Sequence, residues 1–210
     1  MSGFERTAGV DPGSVRGFLD DAEGARLHEL MLEAGGLGPG LEVGSYCGKS
    51  TLWLGAACAR RGVSLFAVDH HLGSEEHQPG EAYHDPELYD GARGRIDSFP
   101  HLRDTILRAG LQDTVVPVVA ASRVAARDWA TPLSLVFIDG GHSLEAAETD
   151  LACWAGHILT GGMLLIHDIF ASPEQGGQAP RLIYERALAS GAFEPLEQVG
   201  TLGALRRRPS

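Results

Sequence analysis

The stretch from Gly40 to Thr51 restricts the fold more than any other part of this chain. It reads Gly-Leu-Glu-Val-Gly-Ser-Tyr-Cys-Gly-Lys-Ser-Thr, and the leucines and alanines after it are spaced as on one side of a helix. The pattern indicates a strand, a tight turn and a helix in direct succession. Gly44 and Gly48 allow the turn and bring backbone N–H groups close to a ligand. Open α/β sheets bind nucleotide-like ligands at such a turn, at the carboxyl end of the first parallel strand.

Apolar segments and helical patterns alternate along the rest of the chain. Strands are predicted over 40–44, 64–68, 115–119, 133–138 and 163–166, and a closing antiparallel hairpin over 193–199 and 202–206. Helices are predicted over 14–34, 49–61, 91–109, 122–129, 143–158 and 180–190. Phe18 is expected on the apolar side of the first of these, and the third is expected to be interrupted near Pro100. This order requires a mainly parallel sheet with right-handed crossovers. We therefore predict a single α/β domain over 1–210, with a helical cap over 1–36.

Charge and cysteine content limit the partners and the compartment. The net charge of −11 argues against a nucleic acid or an anionic membrane as the main partner, since both favour a basic surface. The three cysteines are odd in number and lack metal-type spacing, which is typical of a reduced protein. The first residues contain Glu5 and Arg6 and no long apolar segment, so we expect no signal peptide and a cytoplasmic location.

Three classes of ligand could bind at the glycine-rich stretch Gly40–Thr51. A phosphate-binding P-loop needs one more residue between Gly44 and Gly48, and a dinucleotide site prefers glycine at Thr51. S-adenosylmethionine (SAM), which carries no phosphate, is the third. Its ribose needs a carboxylate at the end of the second strand, where Asp69 lies. Asp69 as a simple strand-end cap, and Glu42 as a residue that only holds the turn, remain the alternatives.

Several motifs in one order make this sequence similar to the class I SAM-dependent O-methyltransferases, in particular to a bacterial metal-dependent branch that methylates sugars. The motifs are 41–51, Phe-Ile-Asp-Gly-Gly-His at 137–142 and Ile-His-Asp at 166–168. A fainter resemblance is to the 1-O-methyltransferases of methylmannose polysaccharide synthesis. The resemblance implies a Rossmann-like methyltransferase sandwich with a mainly parallel seven-stranded sheet. It also implies a homodimer.

The resemblance further implies a set of cofactor-binding residues. Gly44, Ser45 and Tyr46 line the methionine end of SAM, Asp69 binds the ribose hydroxyls with His70 beside it, and Ala121 and Ser122 flank the adenine. Glu42 and Ser50 are further predicted cofactor-binding residues. Asp139 is placed where cofactor and acceptor meet.

The chemistry of methyl transfer needs an activated nucleophile, because a neutral alcohol attacks a sulfonium slowly. Asp139, His167 and Asp168 end two strands that we expect to be neighbours, and their spacing resembles the metal site of catechol-type O-methyltransferases. We predict a divalent metal there, Mg²⁺ or Mn²⁺, with local backbone contacts as the alternative. His142, three residues after Asp139, is the predicted general base, since a neutral imidazole accepts a proton near pH 7.

The irregular segment 70–90 is too long for an ordinary connection and is predicted to be an acceptor-binding loop or lid. Its candidate substrate-binding residues are His71, Glu76, Tyr83, His84 and Tyr89. These polar and aromatic side chains suit a sugar or another small polyol. A phenolic or catechol acceptor remains open, as does a solvated loop without function. A module that binds SAM or a dinucleotide without catalysis is the alternative of another class.

Overall fold

A computed structural model describes residues 9–74, 80 and 85–209 of the chain. Its main sheet has seven strands in the order β5-β2-β1-β6-β7-β9-β8. The strands of this sheet are β1 (Gly40–Val43), β2 (Leu65–Asp69), β5 (Val115–Val119), β6 (Leu133–Ile138), β7 (Ile158–Ile166), β8 (Phe193–Pro195) and β9 (Gly203–Arg207). The first five are parallel, whereas β9 pairs antiparallel with both β7 and β8. The predicted mainly parallel sheet with a C-terminal antiparallel hairpin is confirmed.

Helices cover both faces of the sheet. They are α1 (Asp21–Ala34), α2 (Lys49–Arg61), α3 (Phe99–Arg108), α4 (Ser122–Ala125), α5 (Leu144–Trp154) and α6 (Ala179–Ala189). Alternate strand residues point to opposite faces. Leu135 and Phe137 of β6 therefore pack with α1, α2 and α3, while Val136 and Ile138 pack with α5 and α6. Each face thus has its own buried apolar layer.

The order of the strands places a crevice at the centre of the sheet. From β1 the chain moves outward through β2 to β5, and it then returns to β6 on the other side of β1 and continues to β7. The loops after β1 and β6 therefore leave in opposite directions. Such a reversal point, at the carboxyl ends of the strands, is where open α/β sheets bind their ligands.

The N-terminal helix starts later than predicted. The predicted helix began at residue 14, but only a short 3-10 turn, Pro12–Ser14, lies there, and α1 begins at Asp21. Asp20 and Glu23 form a capping box at this start, each side chain bonding the other residue's backbone N–H. Phe18 therefore precedes the helix, and it is 66% exposed instead of packing in its apolar side.

The predicted helix over 91–109 is also wrong in its first half. Residues Tyr89–Asp90 (β3) and Arg95–Ile96 (β4) form a small antiparallel pair, and α3 begins only at Phe99. Pro100 lies in the first turn of α3, where its missing N–H costs nothing. The proline is thus a start signal and not an interruption. The predicted helix over 122–129 is likewise shortened to α4.

Among the residues that the structure describes, no helix is both long and apolar enough to span a lipid bilayer.

Candidate active site

A cleft of about 570 Å³ opens at the carboxyl ends of β1, β2, β5, β6 and β7. Its walls contain nine of the ten residues predicted to bind a cofactor, namely Gly44, Ser45, Tyr46, Ser50, Asp69, His70, Ala121, Ser122 and Asp139. His142, His167 and Asp168 line the same cleft. The fold therefore brings together residues that are as far apart in sequence as Gly44 and Asp168.

Gly44 allows the ends of β1 and β6 to approach each other closely. Its φ is 87°, a conformation that costs a residue with a side chain about 1–2 kcal/mol. A Cβ there would also lie 2.0 Å from the backbone oxygen of Asp139. Only glycine fits this position without moving one of the two strands.

Asp69 connects the glycine-rich loop to the end of β2. Its Oδ2 accepts a hydrogen bond of 2.9 Å from the backbone N–H of Tyr46, and its Oδ1 accepts one of 2.7 Å from that of His71. Tyr46 itself has a φ of 45°, so this contact stabilises a backbone conformation that is otherwise unfavourable. Each carboxylate oxygen retains capacity for a further donor.

Ser45 carries a buried hydroxyl that lacks a partner. Its side chain is 1% exposed, and its Oγ has no hydrogen bond to any described residue, although Ser45 lines the cleft. Buried polar groups are nearly always paired, and an unpaired one calls for an explanation. A polar ligand in the cleft would supply the missing bond.

Glu42 does not line the cleft, which corrects its predicted role. It is fully buried beneath the loop, where its Oε1 accepts a bond from the Ser50 hydroxyl and its Oε2 one of 2.7 Å from that of Thr51. Burial raises the pKa of Glu42 to about 7, against the effect of these two bonds. The carboxyl group holds the first turn of α2, which was the alternative role.

Asp139, His142 and Asp168 form a compact group, here named the acceptor corner. One ligand atom from each residue lies within 4.8 Å of the others, which suits a divalent cation. His142 Nε2 is 3.1 Å from Asp168 Oδ2. Burial acts to raise the pKa of Asp168, but the hydrogen bond from His142 and the charge of His167 lower it overall. Asp168 therefore remains a carboxylate.

His167 occupies a different position from the one predicted. It is 4% exposed, with Nδ1 3.1 Å from Asp139 Oδ1 and Nε2 3.0 Å from Glu23 Oε2. Burial acts to lower its pKa, but these two carboxylates outweigh burial and raise it to about 11. A protonated imidazole has no lone pair for a metal. The metal-ligand role predicted for His167 is corrected accordingly, and the imidazole of the acceptor corner is that of His142.

Glu23 was not predicted to take part in the site, yet it links α1 to it. Besides His167, its carboxylate accepts bonds of 2.7 Å and 2.9 Å from the backbone N–H and the hydroxyl of Thr201. Burial acts to raise the pKa of Glu23, but the bonds from His167 and Thr201 lower it from 4.5 to about 2. The capping-box pattern Asp20-Asp21-Ala22-Glu23 was the signal in the sequence for the helix start. Nothing in the sequence indicated the contact with His167.

We expect Glu23→Gln to destabilise the fold by about 3 kcal/mol near pH 7, because it leaves the buried His167 without one partner. Since the folded pKa of about 2 lies below 4.5, the stabilisation by Glu23 is complete above pH 4.5 and is lost as the pH falls towards 2. Urea unfolding at several pH values should show the difference between wild type and variant shrinking in acid.

Glu29→Gln is the control, because Glu29 lies on the same helix and forms a surface ion pair with Arg26. This variant should change stability by less than about 1 kcal/mol. A gap between wild type and Glu23→Gln that stayed constant down to pH 3 would contradict the assigned charge of Glu23.

Residues 41–169 match a protein-family model described as a methyltransferase domain, which is more than half of the chain. The chain belongs to this methyltransferase family. The methyltransferase prediction is thereby confirmed, and so is the Rossmann-like class I methyltransferase fold, which solved structures share.

The methyltransferase resembles several solved structures at low sequence identity. It matches the O-methyltransferase NovP with a TM-score of 0.69 and 15% identity over 90% of this chain and 80% of that one. It matches a Bacillus cereus O-methyltransferase in complex with S-adenosylhomocysteine (SAH), with a TM-score of 0.60 and 17% identity over 90% and 83%. The TDP-rhamnose 3′-O-methyltransferase CalS11 of calicheamicin biosynthesis gives 0.60 and 14% over 90% and 81%.

Two of the predicted substrate-binding residues lie away from the cleft of the methyltransferase. His71 is 2% exposed, with Nδ1 2.8 Å from the Ser98 hydroxyl, so its role is structural. Tyr89 packs against the small buried cluster of Cys47, Leu88 and Ile96. Both predictions are corrected. Glu76, Tyr83 and His84 lie outside the described residues.

The mouth of the cleft contains residues that the sequence analysis did not assign to the site. Arg16, Phe18 and Lys49 line it, and the rings of Phe18 and Tyr46 are 6.2 Å apart. Arg16 forms ion pairs with Asp85 and Glu87. Periodicity had placed Phe18 in the apolar side of a helix, and only its position before the capping box could have indicated otherwise.

Proposed function

We propose that this methyltransferase transfers the methyl group of SAM to a hydroxyl oxygen of a sugar or a similar small polyol. The observation that carries the proposal is the pair His142–Asp168, 3.1 Å apart, in the wall of a class I methyltransferase cleft. An imidazole held by a carboxylate is the usual means of taking a proton from a hydroxyl. A module that only binds its ligand has no use for such a pair.

Three features support SAM as the donor. Gly44 keeps the loop close to the cleft, Asp69 offers carboxylate oxygens to a ribose diol at the end of β2, and the Ser45 hydroxyl lacks a partner. The comparison with a Bacillus cereus enzyme in complex with SAH supports the same ligand class. Asp139, in the wall of the same cleft, would offer a negative charge to the ammonium of the donor.

The transfer itself is an in-line displacement at the methyl carbon. The acceptor oxygen forms a bond to this carbon as the bond between carbon and sulfur breaks, and SAH leaves with the electron pair on its sulfur. The hydroxyl proton passes to His142. Asp168 holds the ring in one orientation and stabilises the imidazolium that results.

Asp139 and Asp168 also fit a divalent cation. Mg²⁺ is commonly held by one or two carboxylates with water and substrate oxygens completing its shell, so these two residues would hold it while His142 acts as the base. When bound, the metal would lower the pKa of the acceptor hydroxyl. His142 lies close enough to bind this metal as well, but the proposal does not need it as a metal ligand.

The metal proposal predicts that exhaustive chelation suppresses turnover by at least about tenfold and that added Mg²⁺ or Mn²⁺ restores it. The measurement is SAH formation in chelator-treated enzyme, with SAH affinity determined in parallel as the control for an intact fold. Full activity after chelation would rule the metal out and leave His142 as the only activating group.

The acceptor class rests on the polar side chains at the cleft and on the likeness to CalS11, whose described substrate is TDP-rhamnose. The aromatic pair Phe18 and Tyr46 favours a second candidate, a phenolic or catechol acceptor, because these rings would stack on it. A panel of sugars, sugar nucleotides and catechols with labelled SAM separates the two classes. Transfer to none of them, together with tight SAM binding, would favour a binding module.

From the free cysteines we propose that the enzyme works in the cytoplasm, and from the resemblance to the O-methyltransferase family we propose that it is a homodimer. The molecular mass in solution, measured by light scattering with and without SAH, tests the second statement.

A further inference from the structure

The cleft contains a buried carboxyl group that the proposed mechanism does not use. Asp150 of α5 is 8% exposed and lines the cleft. No Lys, Arg or His in the described part of the chain forms an ion pair with it. Burying a carboxyl group without a cation is costly, and this one faces a cavity of ligand size.

The surroundings of Asp150 fix its orientation. The Ser122 hydroxyl hydrogen-bonds to it, and Ser122 Oγ in turn accepts a bond of 3.0 Å from the indole N–H of Trp154. Because that N–H uses the Ser122 oxygen as acceptor, the serine proton is directed to Asp150. On the other side, a Cβ at Gly140 would lie 2.6 Å from Asp150 Oδ2, so the carboxyl group packs directly against the glycine backbone.

Asp150 lies in the part of the cleft wall that Ser122 and Gly140 also form. The charges that act on it across the cleft are those of His70 and Asp69 at the end of β2, whereas His142 pairs with Asp168. A donor whose ribose lies at Asp69 and whose methyl group lies near Asp139 must place its adenine ring beyond the ribose. That part of the cleft is bounded by Ala121, Ser122 and Asp150.

We propose that Asp150 recognises the 6-amino group of the adenine ring, and so selects adenosyl donors over other purine nucleosides. The inference rests on the proposed donor and deepens it. A carboxylate oxygen accepts a hydrogen bond from an exocyclic amine, and adenine is the common purine that presents a donor at position 6 of its ring. A 6-oxo purine would place an acceptor there, which leaves two oxygens facing each other.

The protonation state of Asp150 agrees with this role. Burial raises its pKa to about 6, against the hydrogen bond from Ser122. A carboxyl group that gains a proton readily near neutral pH can also donate to the ring nitrogen next to the amino group. Asp150 would then bond both the 6-amino group and the adjacent ring nitrogen of adenine.

Calorimetric titration with two ligands tests the proposal. One is SAH, and the other is its analogue that lacks the 6-amino group. Wild type should bind SAH at least about tenfold more tightly than the analogue, since a lost bond to a buried carboxyl group has this order of effect. Asp150→Leu should abolish the preference, losing about tenfold more affinity for SAH than for the analogue, whereas Asp150→Asn should retain the preference.

Glu148→Gln is the control, because it removes a carboxylate from the same helix outside the cleft wall, where Glu148 pairs with Arg186. It should leave both affinities within a few-fold. An undiminished preference for SAH in Asp150→Leu would overturn the assignment, as would equal losses for both ligands. Failure of wild type to bind SAH would instead overturn the proposed donor, and the inference with it.

Discussion

Replacement of His142 with alanine is expected to lower kcat by about 10²- to 10⁴-fold, the usual contribution of a general base. The dissociation constant of SAH should stay within a few-fold, because His142 is assigned to the acceptor and not to the donor. Turnover and SAH affinity are measured on the same preparation. Since Asp168 pairs with the imidazole, Asp168→Asn should also slow turnover by weakening the orientation of the ring.

His101→Ala is the matched control, since His101 is an exposed histidine on α3 outside the cleft wall. It should retain full turnover. A His142→Ala variant that lost turnover and SAH affinity in parallel would contradict the base assignment and would indicate a role in donor binding. A variant with unchanged turnover would leave the metal as the activating group.

Gly44→Ala is expected to reduce both stability and donor binding more than alanine at any other glycine that the structure describes. The new Cβ would lie 2.0 Å from the backbone oxygen of Asp139, and backbone cannot rotate away as a side chain can. We expect a loss of more than about 3 kcal/mol in the free energy of unfolding, from overpacking together with a φ of 87°. Urea unfolding and SAH titration measure the two effects.

Gly62→Ala separates the backbone cost from the clash. Gly62 also has a positive φ, 68°, but a Cβ there meets nothing within 4 Å. It should cost only about 1 kcal/mol and leave SAH binding unchanged. Equal losses in the two variants would show that the strands can move apart at Gly44, and that the close contact with Asp139 is not essential.

The sequence predicted the fold well where local pattern and burial agree. The apolar runs that form β1, β2 and β6 end at Gly44, Asp69 and Asp139, so the ends of these strands could be predicted. The parallel order followed from the alternation of strands with helices. The small strands β3 and β4 were not predicted, because two-residue strands have no periodicity. Pro100 was misread for a related reason: a proline marks a helix boundary without telling whether the helix starts or is interrupted there.

The position of the site was predicted from the sequence, but the hydrogen-bond and ion-pair partners of its residues were not. Strand-end residues such as Asp69, Asp139 and Asp168 could be placed because parallel strands end at one edge of the sheet. The partner of His167 could not, because Glu23 lies 144 residues away in the chain and only the packing of α1 brings it near. A sequence pattern predicts which residues lie at the end of a strand. It does not predict which of the two histidines, His142 or His167, pairs with a given carboxylate.

The contacts of Asp69 have a consequence for anyone who redesigns this enzyme. The carboxylate assigned to the ribose also supports the backbone at Tyr46 and at the start of the segment after β2. A substitution aimed at accepting a donor with an altered sugar would disturb the methionine end of the pocket at the same time. Engineering for modified donors therefore has to replace the support that Asp69 gives to the backbone at Tyr46 and His71.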